Sequence, residues 1–73
     1  MLRVKRERLR RGWNQTTLAY HAGVPIPDVS RIETGRLLPT ASQLAKLATA
    51  LGLSPATLLE SVDAETADNG QGA

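Results

Sequence analysis

The stretch Asn14-Gln15-Thr16-Thr17-Leu18-Ala19-Tyr20-His21-Ala22-Gly23-Val24, with Ile32-Glu33-Thr34-Gly35 soon after it, constrains this chain more than any other feature. Asn14 offers an N-cap oxygen, and the helix it starts, Gln15 to His21 or Ala22, turns Leu18, Ala19 and Ala22 inward. Gly23 tolerates the positive φ that ends a helix and opens a sharp turn. The next helix starts near Ile26 or Pro27, where a proline's missing N–H is not needed, and runs to Glu33 or Thr34. Val29 and Ile32, spaced i, i+3, face the core, and Gly35 stops the helix. The result is two short helices joined by a tight turn.

A basic helix precedes them, Leu2 to Arg11, ending at Gly12. Its apolar content is thin (Leu2, Val4, Leu9), so tertiary packing must hold it. Thr40-Ala41-Ser42-Gln43 matches a capping box and predicts a helix from Ala41 to Leu51. Leu44, Leu47, Ala48 and Leu51 repeat at i, i+3, i+4, i+7, and Gly52 ends that helix. Ser54-Pro55 is a cap with a first-position proline, predicting a short fifth helix through Leu58 and Leu59 to about Ser61. No β-alternation appears. The expectation is all-α: a compact five-helix domain over residues 1–61. Residues 62–73 carry almost no bulky apolar side chain and are expected to form a disordered polar, acidic tail.

Seventy-three residues support one small domain. At roughly 60 folded residues it buries only about 60% of its unfolded surface and is marginally stable. Cysteine is absent, which removes disulfides and thiolate zinc sites. No run of eighteen apolar residues offers a membrane span, and the basic N-terminus lacks a signal peptide's apolar segment. A soluble, cytoplasmic protein is expected, with no cofactor. Charge is divided: residues 1–36 hold eight cationic against three acidic residues, net +5, whereas residues 37–73 hold one against four, net −3. Seven of the eight are arginine, the side chain that grips phosphate bidentately. Such asymmetry suggests a surface that faces a polyanion.

From residue 4 to about 59 the chain resembles the helix-turn-helix domains of phage repressors and Cro, the xenobiotic-response-element family. The resemblance rests on Arg8, Gly12, Gln15, Leu18-Ala19, Ala22-Gly23-Val24, Val29-Ser30-Arg31-Ile32-Glu33, Gly35, Pro39, Leu44, Leu47-Ala48, Ala50-Leu51-Gly52-Leu53 and Leu58. It implies a sequence-specific, double-stranded-DNA-binding transcriptional regulator, a repressor, acting as a homodimer near the nucleoid. Residues 26–34 would be the recognition helix in the major groove. The family's ion pair would fall on Arg8 and Glu33, tying the first helix to the third. Gln15 would meet a phosphate with its backbone N–H and carboxamide, and touch a base as well. Asn14 and Thr16 add phosphate hydrogen bonds, and Arg36 approaches the backbone from the following loop. Of Arg10 and Arg11, one is expected at a phosphate and the other solvated.

Base-facing positions fall on Pro25, Ile26, Pro27, Asp28, Ser30 and Arg31, with Gln15. This run departs from the family's usual polar side chains. Ile26 neither donates nor accepts, so it could only pack on a thymine methyl. Asp28 could accept from a cytosine amino group, cap the helix or fence off the backbone. Arg31 suits guanine O6 and N7, or a phosphate. Few direct base contacts would leave DNA shape to carry specificity.

Simpler roles cover the rest. Trp13 belongs with the core, Tyr20 is a half-exposed packing residue, and His21 has no ligand-type neighbour. Leu37, Leu38, Leu53 and Leu59 are candidate dimer-edge residues. No nucleophile elbow, phosphate loop, catalytic carboxylate pair or metal cluster is present, so no enzyme is expected. The alternative is a protein-interaction module, such as an antitoxin or anti-repressor partner, which the apolar Pro-Ile-Pro start of the third helix favours.

Overall fold

Leucine, isoleucine and valine at helical spacing draw a set of short helices around one core. The computed structural model describes residues 1–62. Within that range α1 spans Arg3–Arg10, α2 Gln15–Ala22, α3 Ile26–Glu33 and α4 Ala41–Leu51, followed by a 3-10 turn at Pro55–Thr57. No β-strand forms among the described residues, although an isolated antiparallel bridge joins Leu2 to Ser61. Apart from Val62, the tail expected at 62–73 lies outside the described residues.

The longest helix is α4, and its N-terminus is fixed first. Thr40 Oγ1 accepts from the Gln43 N–H at 3.1 Å, and Gln43 Oε1 accepts from the Thr40 N–H at 3.1 Å, a complete capping box. Leu47 and Leu51 are fully buried with Ala48 beside them; Leu18, Val29, Ile32, Val4 and Leu58 close the core around them. Each leucine removed from water contributes roughly 1.5–3 kcal/mol. Leu44, at the start of the stripe, is only partly buried.

The junction of α2 and α3 is built on backbone. The Ala19 carbonyl accepts from the Gly23 N–H at 2.8 Å and the Val24 N–H at 3.1 Å, closing α2. Gly23 has φ +72°, and a Cβ built there would meet nothing within 4 Å. The glycine is therefore demanded by the left-handed conformation and not by crowding.

One expected element is different. The fifth helix is a single 3-10 turn, because its backbone groups pair with the start of the chain. The Leu58 and Glu60 carbonyls accept from the Val4 and Arg3 N–H groups, at 3.0 and 2.8 Å, and the Val62 N–H donates to the Met1 carbonyl at 2.8 Å. The chain leaves helical geometry there, and Ser61 bridges Leu2 in an extended pairing. The same pairing explains α1, which begins at Arg3 with Leu2 extended and Val4 buried, while Leu9 remains 44% exposed. No helix among the described residues is long and apolar enough to cross a membrane.

Candidate nucleic-acid interface

A buried polar network fixes the start of α2 against α1 and α3. Arg8 Nε donates to Glu33 Oε2 at 2.7 Å and Nη2 to Glu33 Oε1 at 3.0 Å, a two-pronged pair with both residues buried. The remaining Arg8 Nη1 donates to the Trp13 carbonyl at 2.8 Å. Gln15 Nε2 donates to Glu33 Oε1 at 3.0 Å. Charge-assisted forks of this kind hold orientation as well as energy. Arg8 thus locks three segments: the end of α1, the loop before α2 and the last turn of α3. Gln15, half-buried, has its amide direction set by Glu33.

The first turn of α2 faces outward. Asn14 is the N-cap, its Oδ1 accepting from the Thr17 N–H at 2.8 Å and the Thr17 hydroxyl at 3.0 Å. The Gln15 and Thr16 N–H groups come next, at the positive end of the helix dipole.

On α3 the candidates divide. Pro25 is the N-cap residue, and Pro25, Ile26, Pro27 and Arg31 are exposed, with Ser30 half-buried. Asp28 caps nothing. It stands at the third helical position and accepts from Gln43 Nε2 at 3.0 Å, so the α4 capping box reaches across to α3. Arg31 Nη1 lies 3.6 Å from Asp28 Oδ1, yet its side chain is 60% exposed and free to extend. Arg36 is exposed, with no acidic partner among the described residues; its N–H donates to the Arg31 carbonyl at 2.8 Å.

The basic helix is organised differently. Glu7 is buried, and its carboxylate is ringed by Arg3 at 3.8 Å, Arg6 at 3.7 Å, Arg10 at 3.3 Å and Arg11 at 3.6 Å. Arg3 also pairs with Glu60 at 3.2 Å. Neither Arg10 nor Arg11 is merely solvated. Arg11 also donates to the Leu51 carbonyl, satisfying the end of α4, and its guanidinium lies 5.8 Å from the centre of the Trp13 ring.

Comparison with known proteins fits this geometry. The profile of a helix-turn-helix domain family matches residues 2–60. The chain belongs to the helix-turn-helix family of DNA-binding regulators. Among solved structures it is similar to the restriction-modification controller protein C.AhdI from Aeromonas hydrophila. The two share 33% sequence identity with a TM-score of 0.72, over 78% of this chain and 86% of that one. No curated protein sequence matches the chain.

In this helix-turn-helix domain α2 and α3 are the paired helices, Gly23 is the turn, and α1 and α4 are the frame. Two features were not anticipated. Tyr20 is 83% exposed rather than half-exposed, its ring meeting only that of His21 edge-on at 5.5 Å. It stands at the mouth of an open apolar groove of about 400 Å³ lined by Thr16, Ala19, Val24, Pro25 and Ile26. The i, i+4 spacing of Thr16 and Tyr20, both outside the apolar stripe of α2, was the available signal. The second is the arginine ring on Glu7, whose i, i+3 and i, i+4 partners were legible but were counted as free charge. Trp13 packs against the core and stacks on His21, ring centres 4.6 Å apart. Of the candidate dimer-edge leucines, Leu38 is 80% exposed while Leu37, Leu53 and Leu59 pack partly into the core.

Proposed function

We propose that the chain is a sequence-specific double-stranded-DNA-binding regulator that represses transcription, with α3 lying in the major groove. The observation that carries this reading is the Arg8–Glu33–Gln15 network: it fastens the start of α2 to α3, so that both helices meet a ligand as one rigid surface. Rigid placement of contact groups is what readout of base edges needs. The α2 first turn (Asn14, Gln15, Thr16) suits a phosphate, through N–H groups and the helix dipole. Arg36 and the half-exposed Arg10 reach flanking phosphates, whereas the ties of Arg11 to Leu51 and Glu7 keep it structural. Arg31 reads guanine, and Pro25, Ile26, Pro27, Asp28 and Ser30 form the surrounding base-facing surface. A homodimer would place two α3 helices on a palindrome with half-site centres about 34 Å apart. Similarity to a protein described as a controller supports the regulatory reading.

Fluorescence-anisotropy titration against a randomised duplex pool at two salt concentrations, with sequencing of the bound fraction, tests it. An enriched palindrome and steep salt dependence are expected. Absence of enrichment, or no binding at low salt, overturns it. The second reading is a protein-interaction module, favoured by the exposed Pro25-Ile26-Pro27 run and Leu38. Native mass spectrometry of a pull-down, showing a stoichiometric protein partner without DNA retention, would select it.

A further inference from the structure

Val62 is held beside the first turn of α1. Its N–H donates to the Met1 carbonyl at 2.8 Å, the Met1 nitrogen donates to the Val62 carbonyl at 3.1 Å, and Ser61 bridges Leu2. The sequence that follows this anchor is acidic: Asp63, Glu65 and Asp68 come within six residues, and residues 63–73 hold no cation. The helix beside the anchor is the reverse. Apart from Arg8, which Glu33 satisfies, α1 and its C-cap carry Arg3, Lys5, Arg6, Arg10 and Arg11. Glu7 and Glu60 oppose them, so five cations meet two acids, net +3. The three acids after Val62 equal that surplus. A single Glu7 carboxylate shared among four guanidiniums does not neutralise them, and the Arg10 side chain stays 51% exposed. Reach is sufficient as well. The eight residues of α1 make about 12 Å of helix, whereas the six from Val62 to Asp68 span up to about 20 Å. Tethering at that range gives an effective concentration on the order of millimolar, which populates ion pairs too weak to form between separate molecules.

We propose that residues 63–68 dock on the exposed face of α1 as an intramolecular competitor for phosphate, with Arg10 as the principal contact. The consequence rests on the DNA-binding reading above, in which Arg10 reaches a flanking phosphate. Duplex then has to displace the acidic segment before it gains Arg10, which lowers affinity for any duplex, most of all at low salt.

Two readouts on the full chain test it, the first without DNA. The chain has no cysteine, so Ala67→Cys accepts a single nitroxide label. Paramagnetic broadening of backbone amides should extend along α1 to Arg10 and Arg11. It should vanish in the D63N/E65Q/D68N variant and at about 1 M salt, where the Debye length is about 3 Å. Broadening confined to the residues adjoining Val62 overturns the docking. The second readout is anisotropy with a random duplex at low salt. D63N/E65Q/D68N should bind about fivefold more tightly than the parent, the worth of one or two exposed ion pairs, with the gap closing at high salt. In an Arg10→Gln background the gain should shrink to under about twofold. A gain undiminished by Arg10→Gln means that the acids act only through net charge, and overturns the proposal. Broadening along α1 with no duplex binding by either protein overturns the DNA reading and leaves the docking standing. Duplex binding without that broadening does the reverse.

Discussion

The two arginine-bearing surfaces of the domain differ in what surrounds the charge. Along α1 the guanidiniums converge on acids: Arg3, Arg6, Arg10 and Arg11 around Glu7, and Arg8 on Glu33. On and after α3, Arg31 approaches a single, partly exposed acid, Asp28, with its own side chain 60% exposed, and Arg36 has no acidic partner among the described residues. The basic helix is therefore mainly a structural clamp, although it holds more of the positive charge. The sparser surface, together with the half-exposed Arg10, is the one with charge available to a ligand. Net charge of a segment measures its field only when its acids lie elsewhere, and here they lie inside the cluster.

The largest effect is expected where the clamp is most buried. Glu33→Ala leaves the Arg8 guanidinium in the interior with only the Trp13 carbonyl, which should cost about 3–5 kcal/mol. That is comparable to the whole stability of a domain this small, so urea unfolding followed by circular dichroism should show little native baseline. Replacing both partners, Arg8→Met with Glu33→Leu, should recover much of the loss, because no unpaired charge remains. A Glu33→Ala loss below about 1 kcal/mol would dissolve the division between the two surfaces.

Next comes the open arginine that faces bases. Arg31→Ala should reduce discrimination between the selected duplex and random DNA by about 1–3 kcal/mol, with the urea midpoint unchanged. Competition titrations read this directly. An equal loss on both duplexes would reassign Arg31 to the phosphates.

Glu7→Gln removes the hub without removing any cation. Hydrogen bonds to charged partners are worth about 1.5–3 kcal/mol, and partial exposure of the arginines places this substitution near the lower end. Stability should fall while random duplex binds more tightly at low salt, since the released guanidiniums become available. Unchanged binding to random DNA would mean that the α1 arginines point away from any duplex.

How far these features were visible in the sequence depended on the range of the interaction. The capping box at Thr40-Gln43, the Leu47–Leu51 stripe and the turn at Gly23 are local, and their signals lie within a few residues. The pairing of Met1 with Val62, 61 residues apart, is not local. Nothing near Pro55 announced that the Leu58 and Glu60 carbonyls would serve Val4 and Arg3, so a helix was expected where a 3-10 turn forms. The same limit applied to Asp28. Its three foreseen roles all lay within its own helix or on DNA, whereas its partner is Gln43, fifteen residues on. The Glu7 cluster is a different case, because its spacing was legible. Treating eight cations as a sum concealed it.

The smallest effect should come from Arg36, and it sharpens the comparison most. An exposed cation without an acidic partner stabilises nothing measurable, so Arg36→Ala should leave unfolding unchanged. A phosphate contact carries no sequence information, so affinity should fall alike on selected and random duplexes. One lost contact should also make the slope of log K against log salt shallower by about 0.9. Paired titrations at several salt concentrations separate these outcomes. A shallower slope at equal loss marks Arg36 as a backbone contact, and an unchanged slope removes it from the interface. The matching experiment on Arg11→Ala should give the opposite pattern. Stability should drop, because the Leu51 carbonyl at the end of α4 loses its donor, while the salt slope stays where it was.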